Sequence, residues 1–143
     1  ARAYAKRLGG TLAVVDKRRT SPDTTEVMHI LGDVKGKTAV IVDDIVATAG
    51  SLVEAVDALG KKGVTGVCAA ISHGILSGPA LERIEKCELL KEVVVTDSIP
   101  FEKKEGNPKI KVVSIASLMA DAIHRIHNEE SISCLFDETT KSY

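Results

Sequence analysis

The segment TAVIVDDIVATAGSLVEAVDAL, Thr38 to Leu59, contains the change of period on which the fold turns. Thr38 to Val42 is a continuous apolar run rich in β-branched residues, the pattern of a strand covered on both faces. From Ser51 onward Leu52, Val53, Ala55, Val56 and Leu59 fall on one stripe at helical spacing. Ser51 is placed to cap that helix, and Gly60 or Gly63 to end it. A strand therefore runs through a short loop of small and hydroxyl residues into a helix, with two adjacent carboxylates, Asp43 and Asp44, closing the strand.

Working outward, LAVV (Leu12 to Val15), VCAAI (Val67 to Ile71) and EVVVT (Glu92 to Thr96) repeat the apolar, β-branched pattern, and KVVSI (Lys111 to Ile115) is a shorter, half-polar version. Helical patterns lie between or around them: Ala1 to Leu8, the stretch PALERIEKC opened by Pro79, and Ser117 to Ile126. Strands alternating with helices predict an α/β fold with a doubly wound, mostly parallel sheet, whose ligands gather at the carboxyl ends of the strands. VMHIL, Val27 to Leu31, followed by the turn GDVKGK, reads as one strand of a small β-hairpin leading into the Thr38 strand. KRRTSPDTTE, Lys17 to Glu26, is polar and broken by Pro22, and predicts a mobile loop. Residues 1–136 are expected to form one domain and 137–143 a disordered tail. The opening at Ala1, inside a helical pattern, is expected to be the middle of a longer protein.

The 143 residues are 44% hydrophobic, enough for one core. A formal charge of -1 gives no bulk attraction to nucleic acid or to an anionic membrane, so any anion site has to be local. Cys68, Cys87 and Cys134 are odd in number and widely spaced, which suggests reduced thiols and a cytoplasmic setting. No apolar run has the length of a membrane span.

The loop between strand and helix carries the chemistry. Unpaired N–H groups and the helix dipole make the start of a helix a place for phosphate. Thr48 and Ser51 add hydroxyls, and Gly50 lets the backbone come close. Asp43 and Asp44 would sit one sugar's length away, able to accept hydrogen bonds from ribose hydroxyls or to hold a divalent cation. Together these features describe a sugar-phosphate site. The plainer alternative is an acidic strand end followed by an ordinary capped helix.

VDDIVATAGS resembles the PRPP-binding motif of the phosphoribosyltransferase-like fold (type I). DKRR (Asp16 to Arg19), GDVKGKTAVIVDDIVATAGS (Gly32 to Ser51), ISHGILSGPA (Ile71 to Ala80), VTDSIP (Val95 to Pro100) and SISCLF (Ser131 to Phe136) resemble, in order, the ribose-phosphate diphosphokinases (PRPP synthetases). These matches span almost the whole chain. The resemblance implies the C-terminal half of such an enzyme, with the N-terminal ATP-binding domain absent. It implies transfer of the diphosphoryl group of ATP to ribose 5-phosphate, giving PRPP and AMP with Mg²⁺. By the same resemblance Ala47, Thr48, Ala49, Gly50 and Ser51 hold the 5-phosphate, Asp43 and Asp44 the ribose hydroxyls, and Lys17 and Arg19 are catalytic-loop cations, Arg19 also touching ribose 5-phosphate. Ala47 stands where many members carry aspartate, which removes a side-chain contact but leaves the backbone cradle intact. Ser131, Ser133 and Phe136 match a phosphate-responsive allosteric site, and the parent is expected to be a homo-oligomer, dimer or hexamer.

Alternatives stay open. A packed terminal segment accounts equally well for SISCLF. His73 at a strand end, and His124 with His127 one turn apart, read as structural or surface residues; no metal site is assigned beyond a possible role for Asp43 and Asp44. The competing function is a non-catalytic, regulatory synthetase-associated subunit, against which Lys17 and Arg19 argue.

Overall fold

The apolar run at Thr38 does form a strand, and it is longer than its hydrophobic residues suggest. In the computed structural model, which describes residues 2–18, 27–100 and 107–136, the strand covers Thr38–Val46. In chain order the elements are α1 (Arg2–Arg7), β1 (Val14–Arg18), β2 (Val27–Leu31), β3 (Thr38–Val46), α2 (Gly50–Lys61), β4 (Gly66–Gly74), α3 (Ala80–Lys86), β5 (Leu90–Thr96), β6 (Ile110–Val113) and α4 (Ala116–His127), with a 3₁₀ turn at Ser133–Leu135. Asp43 and Asp44 lie inside β3 rather than beyond its end. The ladder to β4 continues past them, pairing Ile45 with His73 and Val46 with Gly74.

β3, β4, β5 and β6 form a fully parallel sheet in that order, with Val42, Ala70, Val94 and Lys111 in register across it. Each new strand joins the same edge. Because parallel crossovers are right-handed, successive crossovers in one direction put their helices on one face. The core agrees: Leu52, Val56 and Leu59 of α2 and Ala80 and Ile84 of α3 are buried with Val67, Ala69, Ile71, Val93, Val95 and Ile110 of the strands. Val56, Ile84, Leu90 and Val93 are each fully enclosed, worth roughly 1.5–3 kcal/mol apiece against exposure. The opposite face is less covered: Val40 is half exposed, and Cys68, Ala70 and Val94 are partly buried. Among the described residues the crossovers through α2 and α3 wind one way, so the second winding of the expected doubly wound sheet is not seen there.

The small β-hairpin is present, with β1 as the partner strand. β2 pairs antiparallel with β1, Asp16 opposite His29, in a separate two-stranded sheet, and not with β3. The turn after β2 is fastened elsewhere: Gly36 N–H donates to Gly63 O, and Lys37 O accepts from Thr65 N–H. Gly32, at φ 121, backs onto Leu12 and Ala13, with Leu12 O 3.1 Å from where a Cβ would stand. These ties draw the turn toward the α2–β4 connection and leave β2 to close on β1. Lys17 and Arg18 belong to β1, so the expected mobile loop does not begin at Lys17; its remainder, 19–26, and the tail 137–143 lie outside the described residues.

Helix ends follow local chemistry. α2 begins one residue before Ser51, with Ala49 as its N-cap and no side-chain cap, so the capping role expected of Ser51 is corrected. It ends at Lys61, just before Gly63, whose φ of 85 suits glycine and whose N–H donates to Gly60 O. At the end of α3, the Lys109 ammonium donates to Ile84 O at 3.1 Å, Glu85 O at 2.9 Å and Cys87 O at 2.7 Å, the last of which also accepts from Leu90 N–H. α4 starts where Asp97 Oδ1 accepts from Ile115 N–H, and none of its residues is buried. Cys68, Cys87 and Cys134 are free thiols, and no described helix is long and apolar enough to cross a membrane.

Candidate functional site

The carboxyl end of β3 presents Asp43 and Asp44, both exposed. Successive strand residues alternate faces, so the two carboxylates leave the backbone in different directions. The Asp44 N–H donates to Asp43 Oδ1 at 3.0 Å, folding the first carboxylate over the peptide that joins them. Neither acid is turned into the core. Val46 is buried, and the chain then turns through Ala47, Thr48 and Ala49 into α2.

The orientation of that turn follows from its carbonyls. Val46 O accepts from Ile75 N–H at 3.0 Å and Leu76 N–H at 3.3 Å, and Ala47 O accepts from Ser77 N–H at 2.9 Å. Thr48 O accepts from the Arg83 guanidinium at 2.9 Å. Three consecutive carbonyls thus face the β4–α3 segment. In a trans peptide the C=O and the following N–H point opposite ways, so the N–H groups of Ala47, Thr48 and Ala49 face away from that segment. Among the described residues these three N–H groups donate to no backbone acceptor. They lie next to the first turn of α2, whose N–H groups have no acceptor within the helix. Ala49 makes the arrangement possible with a left-handed backbone, φ 58, although it carries a buried β-carbon. The partner segment is bent in the same way, with Leu76 at φ 49 and Gly78 at φ 56. Strain of this kind persists where the surroundings hold it, and often at ligand sites.

Ala47, Thr48 and Ser51 are exposed, so the hydroxyls expected to help hold an anion are reachable. Gly50 matters sterically: a Cβ there would come 3.3 Å from Arg83 Nη1 and 3.8 Å from Thr48 Oγ1. At the adjoining strand ends His73 Nδ1 meets Ser98 Oγ at 2.8 Å, and Thr96 Oγ1 donates to Ser72 O at 2.6 Å.

The structure keeps Asp43, Asp44 and the Ala47 to Ser51 loop, all singled out in the sequence, in one place. It also brings to that loop Arg83, which the sequence reading did not name. Its place in PALERIEKC marked a helix, and nothing local showed that the crossover returns this residue to the loop. Lys17 lies on β1, where its Cα partner is Met28, and Arg19 is outside the described residues. Ser131 and Ser133 share a hydrogen bond, Oγ to Oγ at 3.1 Å, and Arg125 Nη1 lies 3.5 Å from Ser131 O, while Phe136 is exposed. No hydrogen bond or ion pair described here links that cluster to the β3–α2 loop. His124 contacts Asn128, and no group of three or more potential metal ligands occurs among the described residues.

These features define an α/β protein with a polar, backbone-lined cradle after an acidic strand end. A family model described as the phosphoribosyl synthetase-associated domain matches residues 17–137, and the chain belongs to that family. It is 49% identical over 137 residues to a ribose-phosphate pyrophosphokinase of Clostridium acetobutylicum and 52% identical over 138 residues to one of Bradyrhizobium diazoefficiens. Each alignment covers 96% of this chain and 43% of the relative, so the chain spans less than half of either. Among solved structures it resembles phosphoribosylpyrophosphate synthetase from Mycobacterium smegmatis, with a TM-score of 0.79 and 36% identity, covering 90% of this chain and 41% of that one.

Proposed function

We propose that the β3–α2 loop binds the 5-phosphate of ribose 5-phosphate, that Asp43 and Asp44 take the ribose hydroxyls, and that the chain is the C-terminal, type I phosphoribosyltransferase-like half of a ribose-phosphate diphosphokinase. The observation that carries the binding site is the set of tied-back carbonyls at Val46, Ala47 and Thr48, which commits the adjoining N–H groups to an outside acceptor. A phosphate monoester supplies several acceptor oxygens and the negative charge that a helix start favours. The reaction moves a diphosphoryl group from ATP to the anomeric hydroxyl, and catalysis of that kind rests on positioning and cationic compensation. Lys17 and Arg19 are the candidates for that compensation. The carboxylates of Asp43 and Asp44 are hard oxygen donors of the kind Mg²⁺ accepts, and the ion would help neutralise the phosphates.

On this reading the 143-residue polypeptide binds ribose 5-phosphate but does not turn it over, because the nucleotide half of the site is supplied elsewhere in the parent oligomer. Two measurements test it. Adding ribose 5-phosphate to the ¹⁵N-labelled chain should shift the amide resonances of Ala47 to Ser51 before those of α4; uniform or absent shifts would remove the site. Incubation with ATP, Mg²⁺ and ribose 5-phosphate should release no AMP, and sustained release would refute the inactive-fragment reading. The Ser131, Ser133 and Phe136 segment is proposed as a phosphate-responsive regulatory element of the parent. A non-catalytic associated subunit is the alternative. It would share the fold, and loss of activity in the full-length parent after Lys17→Ala and Arg19→Ala would argue against it.

A further inference from the structure

We infer that Arg83 is a positioning residue for the phosphate loop, acting from α3 on a turn 35 positions away in sequence. This rests on the ribose 5-phosphate reading and extends it to a residue outside the β3–α2 motif. The 2.9 Å bond from Nη1 to Thr48 O holds the peptide joining Thr48 to Ala49, and because that peptide is planar it also fixes the direction of the Ala49 N–H. Ala49 is the residue at φ 58, so the contact holds the loop at its most strained point. The guanidinium has five N–H donors and spends one on this carbonyl, so its remaining donors and its full charge stay beside the loop. Gly50 provides the room: the 3.3 Å spacing from its would-be Cβ to Nη1 means that a side chain there would push against the arginine. Arg83 is exposed, and its hydrophobic neighbour on the same helix, Ile84, anchors α3 in the core. Its head group can therefore be altered without opening that core.

A part in folding alone would show as lost stability at unchanged affinity, whereas a positioning part shows as lost affinity for a phosphate-bearing ligand at unchanged stability. The experiment compares the chain with its Arg83→Met, Arg83→Gln and Arg83→Lys variants by calorimetry against ribose 5-phosphate and inorganic phosphate, with melting curves alongside. ³¹P resonances of bound ribose 5-phosphate are also followed against pH. Arg83→Met and Arg83→Gln are expected to weaken ribose 5-phosphate binding roughly 10- to 30-fold, the scale of one lost charge-assisted hydrogen bond, with melting temperature unchanged. The second phosphate ionisation of the bound ligand should rise toward its free value in both variants, and Arg83→Lys should recover most of the affinity. If Arg83→Met proves unstable, Arg83→Gln preserves most of the side chain's length and polarity and decides the matter. Unchanged affinity and unchanged ³¹P titration in a folded Met or Gln variant overturn this inference and leave the ribose 5-phosphate reading standing. Failure of the unaltered chain to bind ribose 5-phosphate overturns both.

Discussion

Ala49 and Gly74 show how single residues set the site. A β-carbon at positive φ costs about 1–2 kcal/mol, yet Ala49 is 3% exposed, so its methyl group recovers part of that cost through packing. Gly74 ends β4 directly beside Val46, and an added Cβ would meet Val95 Cγ1 at 2.8 Å and Val95 Cβ at 2.9 Å. Both contacts are too short for any real side chain, and Val95 is buried at the sheet centre with little freedom to move. Gly74→Ala should therefore destabilise the chain by about 1–3 kcal/mol in urea unfolding, with β4 and β5 pushed apart next to the loop. The paired acids and the loop after them were legible in the sequence because they are contiguous, and a continuous apolar run followed by helical spacing brackets them. Arg83 was not legible. Its contact with Thr48 depends on where a crossover sets α3, and no local pattern encodes that.

At the scale of elements, two caps carry testable weight. Lys109 donates to three carbonyls at the end of α3, so Lys109→Met removes their shared partner and should lower unfolding free energy by about 1–2 kcal/mol, measured by denaturant titration. At the start of α4, the Ser114 hydroxyl and then the Ile115 N–H hold the Asp97 carboxyl below its ordinary value. A carboxylate whose folded-state value is depressed stabilises the fold at pH above its unfolded value, roughly 4, and loses that contribution as pH falls through the folded value. Asp97→Asn should accordingly flatten the acid limb of the stability profile below about pH 4 and change its shape little near neutrality, as read from melting temperature against pH. Helix and strand identities were largely legible in the sequence, whereas their ends were less so. β3 runs on through Asp43 and Asp44 because β4 offers it partners as far as Gly74, and α2 starts at Gly50 because the backbone at Ala49, not the Ser51 hydroxyl, makes the turn.

Across the whole molecule, the parallel sheet was legible in its apolar runs, but its winding was not. Continuous β-branched strands look the same whether helices cover one face or two, and strand order is a long-range property that no run of residues displays. The observed order makes β3 an edge strand among the described residues, paired with β4 alone, so the acidic end and the β3–α2 loop stand at the margin of the sheet. The small hairpin was legible too, but its partner strand was not: β2 closes on β1, while the turn that leads from β2 to β3 is tied to the α2–β4 connection. The central claim is that this sheet margin grips a sugar phosphate. Calorimetry of the 143-residue chain against ribose 5-phosphate tests it most directly. One ligand per chain is predicted, with affinity falling at least ~10-fold in the Asp43→Asn, Asp44→Asn double variant while its melting curve stays in place. No binding by the unaltered chain, or equal binding by the double variant, would contradict it.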